Sequence, residues 1–261
     1  MNAPDTSDGS DIAQLEAIGL TKSFGKRRVL DGVSLSIRQG EAVGLFGPDG
    51  AGKTTTFYCL LGLLRPDMGR VMLDDEDVSR LPFYRRAVLG LAYLPEQPSI
   101  FRGLTVEQNI TSMLEVVEPE RDVRERRLQD LLEALDLVRL RGAIATSLSG
   151  GERRRCEVAR ALALDPRIVL LDEPFAGIDP LTIAGIKELI AEMRSRNIGI
   201  LLTDQNVREM LGVIDRAYVM AEGRIIFDGN PQVMLDDQAV IDHYLGNTEH
   251  MRNHEGMPNG G

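Results

Sequence analysis

Gly47-Pro48-Asp49-Gly50-Ala51-Gly52-Lys53-Thr54 reads G-x-x-x-x-G-K-[ST], and it stands between the apolar run Ala42–Phe46 and the helical run Thr54–Leu64. A strand that passes through such a loop and restarts as a helix is the signature of a phosphate-binding unit. Glycines at 47, 50 and 52 let the backbone curl so that N–H groups point inward at phosphate oxygens, and the positive end of the new helix adds to them. Pro48, Asp49 and Ala51 complete the cradle, Lys53 is placed to reach the β and γ phosphates of ATP, and Thr54, followed by Thr55, is placed to ligate Mg²⁺.

Outward from the loop, short β-rich runs alternate with helical patterns. The runs AVGLF (42–46), IVLLD (168–172) and GILLT (199–203) are apolar throughout, which predicts strands buried on both faces of a mainly parallel sheet covered by helices. Gly40, Gly69 and the Glu222-Gly223 pair punctuate hairpin-like pieces, so an antiparallel β section is expected beside that core. Leu128, Leu131, Leu132 and Leu135 follow a helical spacing with no convincing strand around them, and roughly 98–165 reads as a helical subdomain inserted into the core. The expected class is α/β, a P-loop NTPase core with those two additions, over residues 12–246. Residues 1–11 and 247–261 lack apolar periodicity and read as mobile tails.

Composition narrows the function. The chain has 261 residues, is 43% hydrophobic, and carries a net charge of −10, opposite in sign to the footprint of a nucleic-acid-binding surface. No apolar run is long enough to span a bilayer, and the first residues are acidic and polar where a signal peptide is basic and then apolar. The expectation is a cytoplasmic protein without direct membrane insertion. The three histidines all fall in the last 19 residues, leaving carboxylates and lysine for chemistry in the body. Cys59 and Cys156 fit neither a disulfide framework nor a zinc site and read as small buried helix residues.

Two further motifs carry chemistry. Ile168-Val169-Leu170-Leu171-Asp172-Glu173 is an apolar strand delivering two carboxylates at its C-terminal end. Asp172 is placed to hold the hydration shell of Mg²⁺, and Glu173 to orient or deprotonate the attacking water. Leu148-Ser149-Gly150-Gly151-Glu152 opens a helix with a second anion cradle. One γ-phosphate does not need two cradles, so each is expected to serve the nucleotide of a different chain.

With Ser149–Glu152 upstream of Asp172-Glu173 and the P-loop about 100 residues before both, the chain resembles the ATP-binding cassette (ABC) ATPases over essentially residues 12–246. The resemblance implies a homodimer that sandwiches two ATP molecules, the P-loop of one chain facing the Ser149 turn of the other, and separate membrane permease chains. It implies that Phe24 stacks on adenine and that Asp179 communicates across the dimer. It places Glu96 and Gln97 in the loop that contacts Mg²⁺, with either residue able to be the contact. The family usually has histidine at the position of Gln205; glutamine donates and accepts hydrogen bonds but carries no charge. The strings around Pro95–Val106, Ser149–Leu162 and Asp172–Pro180 are most similar to the lipopolysaccharide-export branch, the alternatives being a branched-chain amino-acid importer or a non-transport ABC ATPase. Phe101 and Arg102 are expected to line the groove where a permease docks, and Arg153-Arg154-Arg155 to form a solvated helix face.

Overall fold

The computed structural model of the chain describes residues 14–176 and 180–246. The expected tails, 1–11 and 247–261, lie outside the described residues. In chain order the strands are β1 (Gln14–Phe24), β2 (Arg27–Arg38), β3 (Ala42–Phe46), β4 (Met68–Leu73), β5 (Glu76–Asp77), β6 (Leu91–Leu94), β7 (Ile168–Asp172), β8 (Gly199–Thr203), β9 (Arg216–Ala221) and β10 (Arg224–Gly229). The helices are α1 (Lys53–Leu61), α2 (Phe83–Val88), α3 (Val106–Val117), α4 (Arg121–Ala134), α5 (Gly150–Leu162), α6 (Pro180–Ser195), α7 (Val207–Leu211), α8 (Pro231–Met234) and α9 (Gln238–Val240). A π-helical turn, Ile241–Leu245, follows.

The main sheet has the order β10-β9-β3-β8-β7-β6; its five strands from β9 to β6 run parallel and β10 is antiparallel. The apolar runs at β3, β7 and β8 are buried at every position, which is what strands with helices or a second sheet on each side require. A smaller antiparallel sheet, β2-β1-β4-β5, forms the expected β section. Glu222 and Gly223 both have positive φ, 48° and 78°. That pair makes the tight turn whose twist suits the β9–β10 hairpin. Between β6 and β7 the chain is helical, with α3, α4 and α5 in succession and two short 3₁₀ turns between α4 and α5.

Successive side chains of a strand face opposite sides, and the main sheet accordingly divides two cores. Ala42, Phe46, Val169, Leu171, Ile200 and Leu202 pack with the apolar faces of α3, α4, α5 and α6. Val43, Leu45, Ile168, Leu170, Leu201 and Met220 pack instead with α1 and the small antiparallel sheet. Cys156 lies in the first core and Cys59 in the second, both free and buried. Burial pushes their thiols up, Cys59 to about 11 and Cys156 to about 12, so neither is a reactive thiolate.

The far end of α1 is closed by an unexpected residue. Arg86 of α2 is fully buried. Its guanidinium donates to the carbonyls of Cys59 at 2.9 Å and Leu60 at 2.5 Å, which end α1, and to those of Leu81 at 3.0 Å and Ser79 at 3.3 Å. A cation at a helix C-terminus also suits its negative end. Replacing Arg86 by Met keeps much of the volume but strands these carbonyls. The expected loss is about 3 kcal/mol, roughly 10 °C in Tm for a domain of this size, measured by thermal unfolding.

Candidate functional site

The loop after β3 takes its shape from close neighbours. Gly47 has φ 145°, and a Cβ there would lie 2.2 Å from the Met220 carbonyl of β9; at Gly52, φ 111°, it would lie 2.9 Å from the Val29 carbonyl of β2. Side chains at these positions are excluded sterically as well as conformationally. The first turn of α1 has no capping side chain and no acidic residue, so its positive end is left for an anion. Lys53, at its head, is buried and donates to the carbonyls of Gly47 at 2.7 Å and Pro48 at 3.1 Å. Burial lowers its pKa, opposed by Asp49, Glu173 and Asp172.

Around this lysine lies a cleft of about 220 Å³ whose lining includes Phe24, Gly50, Lys53, Thr54, Thr55 and Glu173. The loop, the aromatic at the end of β1 and the carboxylate after β7 are thus brought together from three separate parts of the chain. Phe24 keeps 51% of its surface exposed at the mouth of this polar cleft, with the Lys22 ammonium 5.8 Å from its ring centroid.

The carboxylates come from the C-terminal ends of parallel strands. Asp172 closes β7, is buried, and accepts a hydrogen bond from the Tyr93 hydroxyl at 2.9 Å. Burial raises its pKa, with Glu96 adding to the rise and Tyr93 and Lys53 opposing it. Tyr93 itself is pushed well above its ordinary value by burial and by Asp172, so it remains a donor. Glu173 sits at φ 46°, a conformation that strains a residue with a Cβ, and its N–H donates to the Thr203 carbonyl at 2.7 Å. Burial raises the Glu173 pKa first, followed by Glu96, Asp204 and Asp172. The Glu96 charge therefore lies near the two carboxylates, and both Glu96 and Gln97 are exposed to solvent. The Thr203 hydroxyl, in register with Asp172, is buried with no hydrogen-bond partner among the described residues. That orphaned oxygen, the uncapped helix end and the clustered carboxylates fit a site for a polyphosphate with a hard divalent cation.

Asp204 joins the two loops on this edge. Buried at the end of β8, it accepts from the Phe175 N–H at 2.6 Å and the Asn206 N–H at 2.8 Å, thereby shaping the segment after Glu173 and the loop carrying Gln205. Gln205 is exposed and outside the cleft lining. Asp179 lies outside the described residues.

The Ser149 turn is elsewhere. Ser149, Gly150, Gly151 and Glu152 do not line the cleft. The Ser149 hydroxyl accepts from the Glu152 N–H at 3.3 Å while the Glu152 carboxylate accepts from the Ser149 N–H at 2.8 Å, a capping box. Glu152 is thus a helix cap that holds the turn open at the surface.

Residues that sequence reading passed over hold the neighbouring loop. From α5, Arg154 donates to the Pro95 carbonyl at 3.0 Å, buried Glu157 accepts from the Ser99 N–H at 2.8 Å, and Arg160 donates to the Ser99 carbonyl at 2.6 Å. The expectation of a solvated face at Arg153-Arg154-Arg155 is corrected here. The Arg154 side chain is only 13% exposed and pairs with Glu157 at 3.2 Å. The signal was the spacing 154, 157, 160, one helix face whose charges meet the unpaired main chain of the loop. Arg160 also lies over the Phe101 ring at 4.2 Å, and Phe101 and Arg102 are both exposed on that loop.

The raised Glu173 pKa has a sign. Its ionised form costs the fold stability, fully above the folded pKa and not at all below the unfolded value near 4.5. Glu173→Gln is therefore expected to raise Tm at pH 7.5, and the gain should fade as pH falls through the raised folded pKa and be gone below about 4.5. Calorimetry across that range measures it.

Residues 30–176 match the ABC transporter family. A probable ABC transporter ATP-binding protein of Azorhizobium caulinodans is 51% identical over 93% of this chain and 85% of that protein. The lipopolysaccharide export system ATP-binding proteins LptB of Acidithiobacillus ferridurans and Escherichia coli K12 are 49% and 47% identical, over 89% and 90% of this chain and 96% and 98% of theirs. A solved ATP-binding cassette of an ABC transporter in its ADP conformation superimposes with a TM-score of 0.80 at 28% identity, covering 90% of this chain and 99% of that one. With the phosphate loop, the carboxylate strand end and the Ser149 turn in place, the chain belongs to the ABC transporter family as an ATP-binding, ATP-hydrolysing subunit.

Proposed function

We propose that this subunit powers lipopolysaccharide export as a homodimer bound to permease chains on the cytoplasmic face of the inner membrane. The observation that carries the catalytic part is the cleft joining Phe24, the Lys53 loop and Glu173 while leaving the Ser149 turn outside it. Phe24 takes the adenine. The N–H groups of the loop and Lys53 take the phosphates. Thr54, Asp172 and Glu96 would hold Mg²⁺, which when bound neutralises charge on the phosphate oxygens. Glu173, close to Lys53 and raised in pKa, orients a water and accepts its proton as the bond between the γ-phosphorus and its bridging oxygen breaks, giving ADP and phosphate. Gln205 offers the γ-phosphate an uncharged donor.

The Ser149 turn serves the partner chain's nucleotide. The assignment to lipopolysaccharide is supported by the LptB relatives, which match nearly end to end. The loop held by α5, with Phe101 presented under Arg160, is the docking point for a permease.

Two measurements test this reading. Lys53→Ala and Ser149→Arg chains are each expected to lose ATPase activity. Mixed together, they should recover up to about a quarter of the wild-type rate, because half the dimers then hold one intact composite site of two. No recovery overturns the shared site. Phe101→Asp is expected to abolish co-purification with the permease chains and ATP-driven lipopolysaccharide extraction from membrane vesicles, while the isolated chain still binds ATP.

A further inference from the structure

Asp172 has two carboxylate oxygens, and Tyr93 occupies one. The donor comes from β6, where Tyr93 is in register with Leu170 of β7. Leu170 and Asp172 lie two residues apart and so share a face of the sheet. The Tyr93 ring packs on that face and its hydroxyl reaches Asp172 Oδ2 at 2.9 Å. The same phenol lies near Tyr58 on α1. One residue thus touches the metal-side strand end and lies near the helix that starts at the phosphate loop, and its own strand leads through Leu94 and Pro95 directly to Glu96.

We propose that Tyr93 is a positioning residue for the divalent cation: its hydroxyl holds Asp172 in the orientation that leaves the second carboxylate oxygen directed at the ion. The proposal rests on the reading of Asp172 as a cation holder. Its physical basis is the charge of the cluster. The Glu96 charge acts on both Asp172 and Glu173, and Lys53 is committed to the carbonyls of Gly47 and Pro48. Without a donor, repulsion turns Asp172 away from its neighbours. A second cation would hold it but compete with the metal, whereas a neutral hydroxyl holds it and leaves its charge free. Partners that orient a metal-binding carboxylate characteristically control affinity for the ion in this way. The hydroxyl is not needed to anchor the strand, because β6 already pairs with β7 at four positions, Leu91 to Leu94.

The test compares wild type, Tyr93→Phe and Asp172→Asn by the binding of a fluorescent, non-hydrolysable ATP analogue, once in EDTA and once across a Mg²⁺ titration, with Tm recorded for each. Tyr93→Phe is expected to bind the analogue in EDTA as wild type does, while the tightening produced by Mg²⁺ shrinks by about tenfold and the half-saturating Mg²⁺ concentration rises to match. Mg²⁺ tightening of wild-type size in Tyr93→Phe, together with its loss in Asp172→Asn, overturns the proposal alone. Equal weakening with and without Mg²⁺ in Tyr93→Phe also overturns it, since that marks a general packing role. Full Mg²⁺ tightening in Asp172→Asn removes the cation-holder reading and the proposal with it.

Discussion

A charge imbalance at one edge of the parallel sheet governs this molecule. Parallel strands end on the same side, so whatever their C-terminal residues carry is gathered there. Here β7 and β8 deliver Asp172, Glu173 and Asp204, and the loop after β6 adds Glu96. Lys53 answers them from the head of α1, and it reaches that position because Gly47 and Gly52 let the preceding loop lie against the Met220 and Val29 carbonyls. Arg86 at the other end of α1 fixes the helix lengthwise. The surplus of negative charge is what a divalent cation relieves.

The parts of this arrangement written in contiguous residues were legible from the sequence. The phosphate loop is a local object, and a strand buried on both faces shows as an unbroken apolar run, so β3, β7 and β8 could be read directly. What escaped depends on partners far along the chain or on the direction a loop turns. Tyr93 looks like an ordinary strand aromatic until its partner, 79 residues away, is placed beside it. Glu96 and Gln97 are adjacent in sequence, and only the path of the loop brings the Glu96 charge near the carboxylates. Ser149 and Glu152 read as an anion cradle although their spacing also spells a capping box. The charges of α5 read as solvated because charge usually is, yet a loop with unpaired main-chain groups packs against them.

Helix α5 relates these pieces in space. Its N-terminal end is the Ser149 turn, and about 16 Å further along, at 1.5 Å per residue, Arg160 covers Phe101. Between them Arg154 and Glu157 grip the segment that begins at Pro95, next to Glu96. The Ser149 turn, the segment next to Glu96 and the exposed Phe101 ring are therefore attached to one helix. Movement of any of them shifts the others.

The division of the interior into two cores has a consequence for how such a chain changes over generations. One side of the sheet packs with α1, which follows the phosphate loop, and with the small antiparallel sheet, and the other packs with α3, α4 and α5. Apolar substitutions on opposite sides share few neighbours, so their effects on stability add rather than compound. Apolar residues on the helical side can therefore change with little effect on those packed against α1.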